Sequence, residues 1–341
     1  MDYYKGNLAT VERNQTSHGG NPFSFAYRKD PHPAFWGEVK SQANFCEEDY
    51  IITTYIAEFI NTLSNLVYVY YAYHGIKSNA NHKDAILRNL PYLGIATVGI
   101  GSGIFHASLK NYTQWADDLS MLLATATVLH RVFTFDKSIA YTVTYGAILS
   151  AAMTAFSTWH CVTDELIMHS VLFGVMIAAI GIKTRSIISA RVSDPIVRAD
   201  VKSLATWGAA IFVSGFVIWN IDTMACAHLT AIKRSIGMPW SFALELHGWW
   251  HLFTGLGAYI FIALVEYLTS EEAGQSLSAR FAWPVAYIVT GKSGSGSGAG
   301  VKGDGDGEGN GLAKANGNGN GNGHANGATN GHANGTAKKN L

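Results

Sequence analysis

Leu246-His247-Gly248-Trp249-Trp250-His251 opens the last long apolar run of a 341-residue chain. Histidines four apart share one face of a helix, about one turn from each other, so both imidazoles reach a common point. That spacing suits zinc, which takes three protein ligands at a catalytic site and leaves a fourth place to water. The third donor has to come from elsewhere, and His106, in Gly101-Ser102-Gly103-Ile104-Phe105-His106 near the end of an earlier apolar run, is the best placed. The competing reading is that His247 and His251 hydrogen-bond to neighbouring helices or sit with the tryptophans at the headgroup level. Polar groups inside lipid are costly unless partnered and usually mark a site or pathway. The residues alone leave both readings open.

Composition says which solvent these runs meet. The chain is 48% hydrophobic and only 14% charged, against about 25% charged in an ordinary soluble domain, which points to an integral membrane protein. Lys+Arg and Asp+Glu number 24 each, so no charge excess favours nucleic acid or another polyanion. Residues 1–43 are polar and aromatic without the apolar core of a signal peptide, so the first spanning helix is expected to direct insertion. Cys46, Cys161 and Cys226 include no Cys-x-x-Cys pair, which excludes a ribbon-type zinc site and permits at most one internal disulfide.

Seven apolar stretches, at 55–76, 88–108, 115–134, 139–158, 164–183, 203–221 and 246–268, are each near the roughly 20 residues that cross a bilayer core. They predict an all-α seven-transmembrane helix bundle over 55–269, preceded by an arm over 1–54 and followed by a disordered low-complexity tail over 270–341. Ten Lys and Arg, from Lys77 to Lys202, fall in short loops on the C-terminal side, against Lys110, Lys233 and Arg234 on the other. The positive-inside rule therefore places the N-terminal arm in a lumen and the C-terminus in the cytosol. Asn14-Gln15-Thr16 then becomes a glycosylation sequon on the luminal side. Cys46 and Cys226 share that oxidising side, where they are either disulfide-bonded or two free thiols.

Two further groups of residues carry chemistry. Asn44, Phe45, Glu47, Glu48 and Asp49, with Glu58 about two turns on, bunch hard oxygen donors in a way that suits calcium. Taken alone they read more simply as acids favouring a helix N-terminus. At the luminal helix ends, Ser102 lies four before His106 on the same face, and Asp117 and Asp118 open the next span. Zinc on His106, His247 and His251 would acidify a water, Asp117 would take its proton and pass it to a leaving amine, and Ser102 would donate to an oxyanion. Ser102 also fits as a small packing residue between Gly101 and Gly103. His169, Asp164, Glu165, Asn220 and Asp222 read as structural hydrogen bonders, with Trp219–Asp222 near the same cavity and Glu245 orienting a histidine.

The run Glu58-Phe59-Ile60-Asn61-Thr62-Leu63-Ser64-Asn65-Leu66, the Ser102…His106 segment with Asp117, Trp219-Asn220-Ile221-Asp222 and His247-Gly248-Trp249-Trp250-His251 together resemble the alkaline ceramidase family, over approximately residues 34–269. That family belongs to a wider group of seven-helix membrane hydrolases and receptors. The resemblance implies an amidase that cleaves ceramide, dihydroceramide or phytoceramide to a sphingoid base and a fatty acid in the endoplasmic reticulum or Golgi membrane, with no obligatory protein partner. It implies zinc on His106, His247 and His251, catalysis by Ser102 and Asp117, and calcium on Asn44, the Phe45 carbonyl, Glu47, Asp49 and Glu58. It also implies a Cys46–Cys226 disulfide. Asn44-Phe45 stands where the family usually has Asp-Trp, and Asp49 where it often has Asn, so the number of carboxylates is kept. Gly248 replaces a frequent alanine, a change expected to be harmless. The alternative is a lipid-responsive receptor of the same architecture with a structural zinc, and the Ser102–Asp117 pair separates the two, since a structural ion has no use for it.

Overall fold

The computed structural model describes residues 23–82, 84–277, 281–287 and 289. The Asn14 sequon and the glycine-asparagine repeats lie outside these residues. Among them the architecture is all-helical: α1 (Phe59–Ser64), α2 (Leu66–Ser78), α3 (Ala85–Ser108), α4 (Asn111–Thr134), α5 (Ile139–Thr163), α6 (Leu166–Arg191), α7 (Pro195–Met224), α8 (Cys226–Ile236), a 3₁₀ turn (Trp240–Leu244) and α9 (Leu246–Leu268). An isolated bridge pairs Phe25 with Met238.

Five of these helices, α3, α5, α6, α7 and α9, are long and apolar enough to cross a membrane. Their outward faces carry bare apolar side chains, such as Val143, Val162, Ile182 and Val213, a surface that suits lipid and would be an aggregation hazard in water. The two other expected spans look different for local reasons. Residues 55–58 are loop, and the helix that follows breaks between Ser64 and Leu66, leaving a single turn and a half before α2. The 24 residues of α4 are long enough, but Gln114, Asp117, Asp118, His130 and Arg131 dilute its apolar character.

Close helix approach sets the geometry around the site. A Cβ on Gly94 would come within 2.8 Å of Ala124 Cα, and one on Gly101 within 2.9 Å of the Ala116 carbonyl oxygen, so α3 and α4 touch backbone to backbone. Leu109, fully buried with φ +50°, ends α3 in the left-handed region and turns the chain into α4 within two residues. The arm then zips onto this corner: Ala57 N donates to Ala107 O, Glu58 N to His106 O and Lys40 N to Leu109 O, each at 3.0 Å. Cys46 and Cys226 form a disulfide with Cα atoms 5.2 Å apart, tying the arm to α8.

One expectation needs correction. Residues after 269 were expected to be a disordered tail, yet Phe281, Ala282 and Val285 are buried in the main core cluster. Tyr267 Oη donates to Gln275 O at 2.7 Å, and Ala282 N donates to Tyr259 Oη at 2.7 Å. Aromatic and β-branched side chains in this stretch, Phe281, Trp283 and Val285, supply apolar surface that the Gly-Asn repeats further on lack. The polar segment therefore begins later than composition averaged over 270–341 implied.

Thermal unfolding in detergent tests the α3–α4 contact. Gly94→Ala and Gly101→Ala are expected to destabilise the protein by about 1–3 kcal/mol through overpacking, whereas Gly174→Ala in α6, with nothing within 4 Å of the added Cβ, leaves the melting temperature unchanged or raised. Equal melting temperatures for all three would show that the close approach does not matter.

Candidate metal and catalytic site

Two helices bring the three histidines together. His106 sits in the last turn of α3, and His247 and His251 in the first two turns of α9. All three are buried, and one potential ligand atom from each lies within 4.8 Å of the others. Ring centroids are 4.9 Å apart for His106–His247 and His106–His251, and 4.7 Å for His247–His251.

Hydrogen bonds on the far side of two rings set their tautomers. His106 Nδ1 donates to Glu58 Oε2, so Nε2 carries the lone pair, and that atom is buried without a partner. Ser64 Oγ donates to Asn61 O at 2.9 Å and can therefore accept from His251 Nδ1, 2.7 Å away, which leaves the lone pair of His251 on Nε2. His247 Nδ1 is also buried and unpartnered. Orphaned imidazole nitrogens cost free energy in a dry interior unless something binds them, and a carboxylate behind a ligating histidine is a recurrent metal-site device. The residues fit a metal ion.

Beside them, Ser102 is buried on α3 and its side chain is hydrogen-bonded to Asp117 on α4. Their approach depends on Gly101 meeting Ala116. The hydroxyl is thus directed at the carboxylate, not freely into the site. The Ser102–Asp117 pair and the three imidazoles share one end of the bundle.

The arm's acids are gathered at the same end but do not close as the imidazoles do. The three histidines are the group among the described residues whose side chains converge within ligand reach. Glu47 accepts from Ile60 N at 2.7 Å and Asn61 N at 2.8 Å, capping α1 as the simpler reading of these acids expects. Glu58 accepts from Phe45 N at 3.2 Å and Asn61 Nδ2 at 3.1 Å besides His106. Asn44 Nδ2 donates to Asp49 Oδ2 at 3.2 Å, while Asn44 Oδ1 and Asp49 Oδ1 are both buried without a partner. Those two bare oxygens fit a hard cation. Burial, then the nearby Glu58 charge, pushes the Asp49 carboxyl up to about 7. Burial with Glu245 and Glu58 nearby holds Glu47 well above the usual carboxylate range.

Several roles were not legible from spacing. Phe45, expected to act through its carbonyl, stacks its ring on His247 with centroids 3.6 Å apart. Ser64 lies in the Glu58…Leu66 motif, yet its contact with His251 crosses 187 positions of sequence. Lys233 is fully buried and donates to Cys46 O and Glu245 Oε2, both at 2.8 Å. Glu245 is therefore engaged by an ammonium and not by a histidine, which corrects the expectation for it. His169, Asn220, Asp164 and Asp222 are hydrogen bonders as expected, to Asp118 O, Phe216 O, Trp115 and Cys46 N respectively.

An apolar cavity of about 270 Å³ lies deeper in the bundle, lined from α3, α4, α6, α7 and α9 by residues including Ile95, Thr125, Phe212 and Ala258. Thr125 is eight residues past Asp117 and Ala258 seven past His251, which at 1.5 Å per residue sets the cavity about 10–12 Å along the helices from the site.

Comparison with known proteins identifies the family. A family model described as Ceramidase matches residues 37–291. The chain is 31% identical to alkaline ceramidase YPC1 of Saccharomyces cerevisiae over 274 residues, 76% of this chain and 87% of the yeast protein. It is 28% identical to mouse alkaline ceramidase 3 over 240 residues, 68% of this chain and 85% of the mouse protein. The Arabidopsis thaliana alkaline ceramidase is 24% identical over 257 residues, 73% of this chain and 91% of the plant protein. The match runs through the arm, the histidine-bearing helices and the docked segment after α9, and the chain belongs to the ceramidase family.

Proposed function

We propose that this protein is a zinc-dependent, calcium-modulated ceramide amidohydrolase that splits ceramide, dihydroceramide or phytoceramide and water into a sphingoid base and a free fatty acid. The observation that carries the reading is the meeting of three buried imidazoles, two with tautomers set from behind, beside a hydrogen-bonded Ser102–Asp117 pair. A purely structural ion has no use for that pair.

His106, His247 and His251 would hold the zinc, which would supply Lewis-acid chemistry that makes water a competent nucleophile near neutral pH. Asp117 takes the proton from the attacking water and returns it to the leaving nitrogen as the amide C–N bond breaks. Once Asp117 is protonated, its hold on the Ser102 hydroxyl weakens, and that hydroxyl turns to donate to the oxyanion formed on the former carbonyl. The apolar cavity, some 10–12 Å deeper, accommodates hydrocarbon chain while the amide sits at the histidines.

The chain crosses the membrane seven times in this reading, by α1–α2, α3, α4, α5, α6, α7 and α9. The arm lies in the lumen of the endoplasmic reticulum or Golgi and the C-terminus in the cytosol, in keeping with the excess of basic loops on the C-terminal side. The Cys46–Cys226 disulfide suits an oxidising lumen. Asn44, the Phe45 carbonyl, Glu47, Asp49 and Glu58 would hold the calcium, and Glu58 and the Phe45 ring touch His106 and His247.

Purified protein is expected to turn over ceramide and to lose activity to a zinc chelator. Asp117→Ala lowers kcat by about 100-fold or more without changing zinc content, whereas His251→Ala loses both. Parent-like turnover by Asp117→Ala would falsify the catalytic assignment.

The arm's acids give a pH test. Asp49 and Glu245 titrate near 7 in the folded protein, the latter raised by burial in spite of Lys233, and near 4 when unfolded. Between these values the folded state holds the extra protons, so with calcium chelated, thermal stability should fall as pH rises from about 4.5 to 7. Calcium added at pH 8 should raise the melting temperature of the parent, and less so of Asp49→Ala. An equal calcium response in both would remove Asp49 from the cation's ligands.

A further inference from the structure

Asp118 follows Asp117 and, about 100° further round α4, faces away from the histidines into a polar cluster of its own. His160, fully buried in the last turn of α5, donates from Nε2 to Asp118 Oδ2 at 3.1 Å, and its Nδ1 is 3.0 Å from Glu165 O at the start of α6. His169 Nε2 donates to the Asp118 carbonyl at 2.8 Å. Gln114, one turn before Asp118 and also buried, donates to Asp118 Oδ2 at 3.4 Å. Its Oε1 accepts from Gln42 N at 2.8 Å and Ala43 N at 3.0 Å, immediately before the Asn44 loop.

Asp118 is thus fixed from α5 and α6, and through Gln114 is linked to the arm, while its neighbour Asp117 is fixed from α3 by Ser102. Together these bonds pin both the rotation and the height of the first turns of α4. Buried imidazole and amide groups in a lipid-embedded bundle need such partners, but that need alone does not require them to converge on the residue beside the proton carrier. A proton carrier displaced by about 1 Å costs on the order of 100-fold in rate, so the anchor on one side of the helix sets the competence of the group on the other.

We propose that His160 is a positioning residue for the hydrolysis: by holding Asp118 against α5 and the start of α6 it keeps the Asp117 carboxylate aimed at Ser102. This rests on the ceramidase reading above. It also gives the arm a second route to the catalytic pair, through Gln114 and Asp118, separate from the one through Glu58 and His106.

The test measures ceramide hydrolysis, zinc content and thermal stability for the parent, Asp117→Ala, His160→Leu, His160→Gln and Asp118→Asn. His160→Leu is expected to lower kcat about 10- to 100-fold, with KM within about two-fold of the parent and zinc content unchanged. His160→Gln, whose Nε2 can donate where the imidazole Nε2 did, is expected to recover most of the loss. A His160→Leu protein with parent-like kcat, a loss carried by KM alone, or His160→Gln as impaired as His160→Leu overturns the proposal. Should His160→Leu fail to fold, Asp118→Asn carries the same prediction for kcat and KM, and parent-like kcat there is equally fatal. An inactive parent would instead refute the underlying ceramidase reading, and an active Asp117→Ala would refute the role given to Asp117 there, so these failures are distinguishable from that of His160.

Discussion

The fully buried carboxylate of Glu58 is the interaction on which the site depends. It receives the Phe45 amide on one oxygen and both His106 Nδ1 and the Asn61 side-chain amide on the other. A carboxylate taken out of water has to find such donors or give up its charge, and here the donors come from the arm, α1 and α3. The same bonds orient His106 and leave its Nε2 bare toward His247 and His251. The arm, the first helix and His106 are thereby parts of one polar unit set into an apolar bundle.

Around that unit, the bundle places small residues where helices must touch and polar residues where they meet the site. Gly101 against Ala116 brings Ser102 to Asp117. Gly248 leaves room for Ile60: a Cβ there would lie 3.1 Å from Ile60 Cγ2, so an alanine would press on α1. Phe45 lies against the His247 ring, on the arm side of the site. The disulfide and the buried Lys233 both fasten the arm at Cys46, one through its sulfur and the other through its carbonyl.

Much of this was legible in the sequence because it repeats at helical spacing. His247 and His251 share a face whatever the tertiary fold, and Ser102 shares one with His106. The long apolar runs of α3, α5, α6, α7 and α9 announce themselves by length and composition. What stayed hidden depends on contacts between distant segments. Neither Ser64 against His251 nor His160 against Asp118 leaves a periodic trace, since each joins two helices. Glu245 lies one residue from a helix bearing two ligands, yet Lys233, twelve positions earlier, engages it. The docked segment at 281–287 was lost for a different reason, because its few apolar residues were averaged with the long polar sequence beyond them.

The central claim is that His106, His247 and His251 bind one zinc ion through imidazole nitrogen. X-ray absorption at the zinc edge of the purified protein tests it most directly. The account predicts one zinc per chain with three imidazole nitrogens at about 2.0–2.1 Å and a light oxygen neighbour completing the shell, and fewer imidazoles around any zinc retained by His106→Ala. A shell containing sulfur, or one unchanged in His106→Ala, would contradict it.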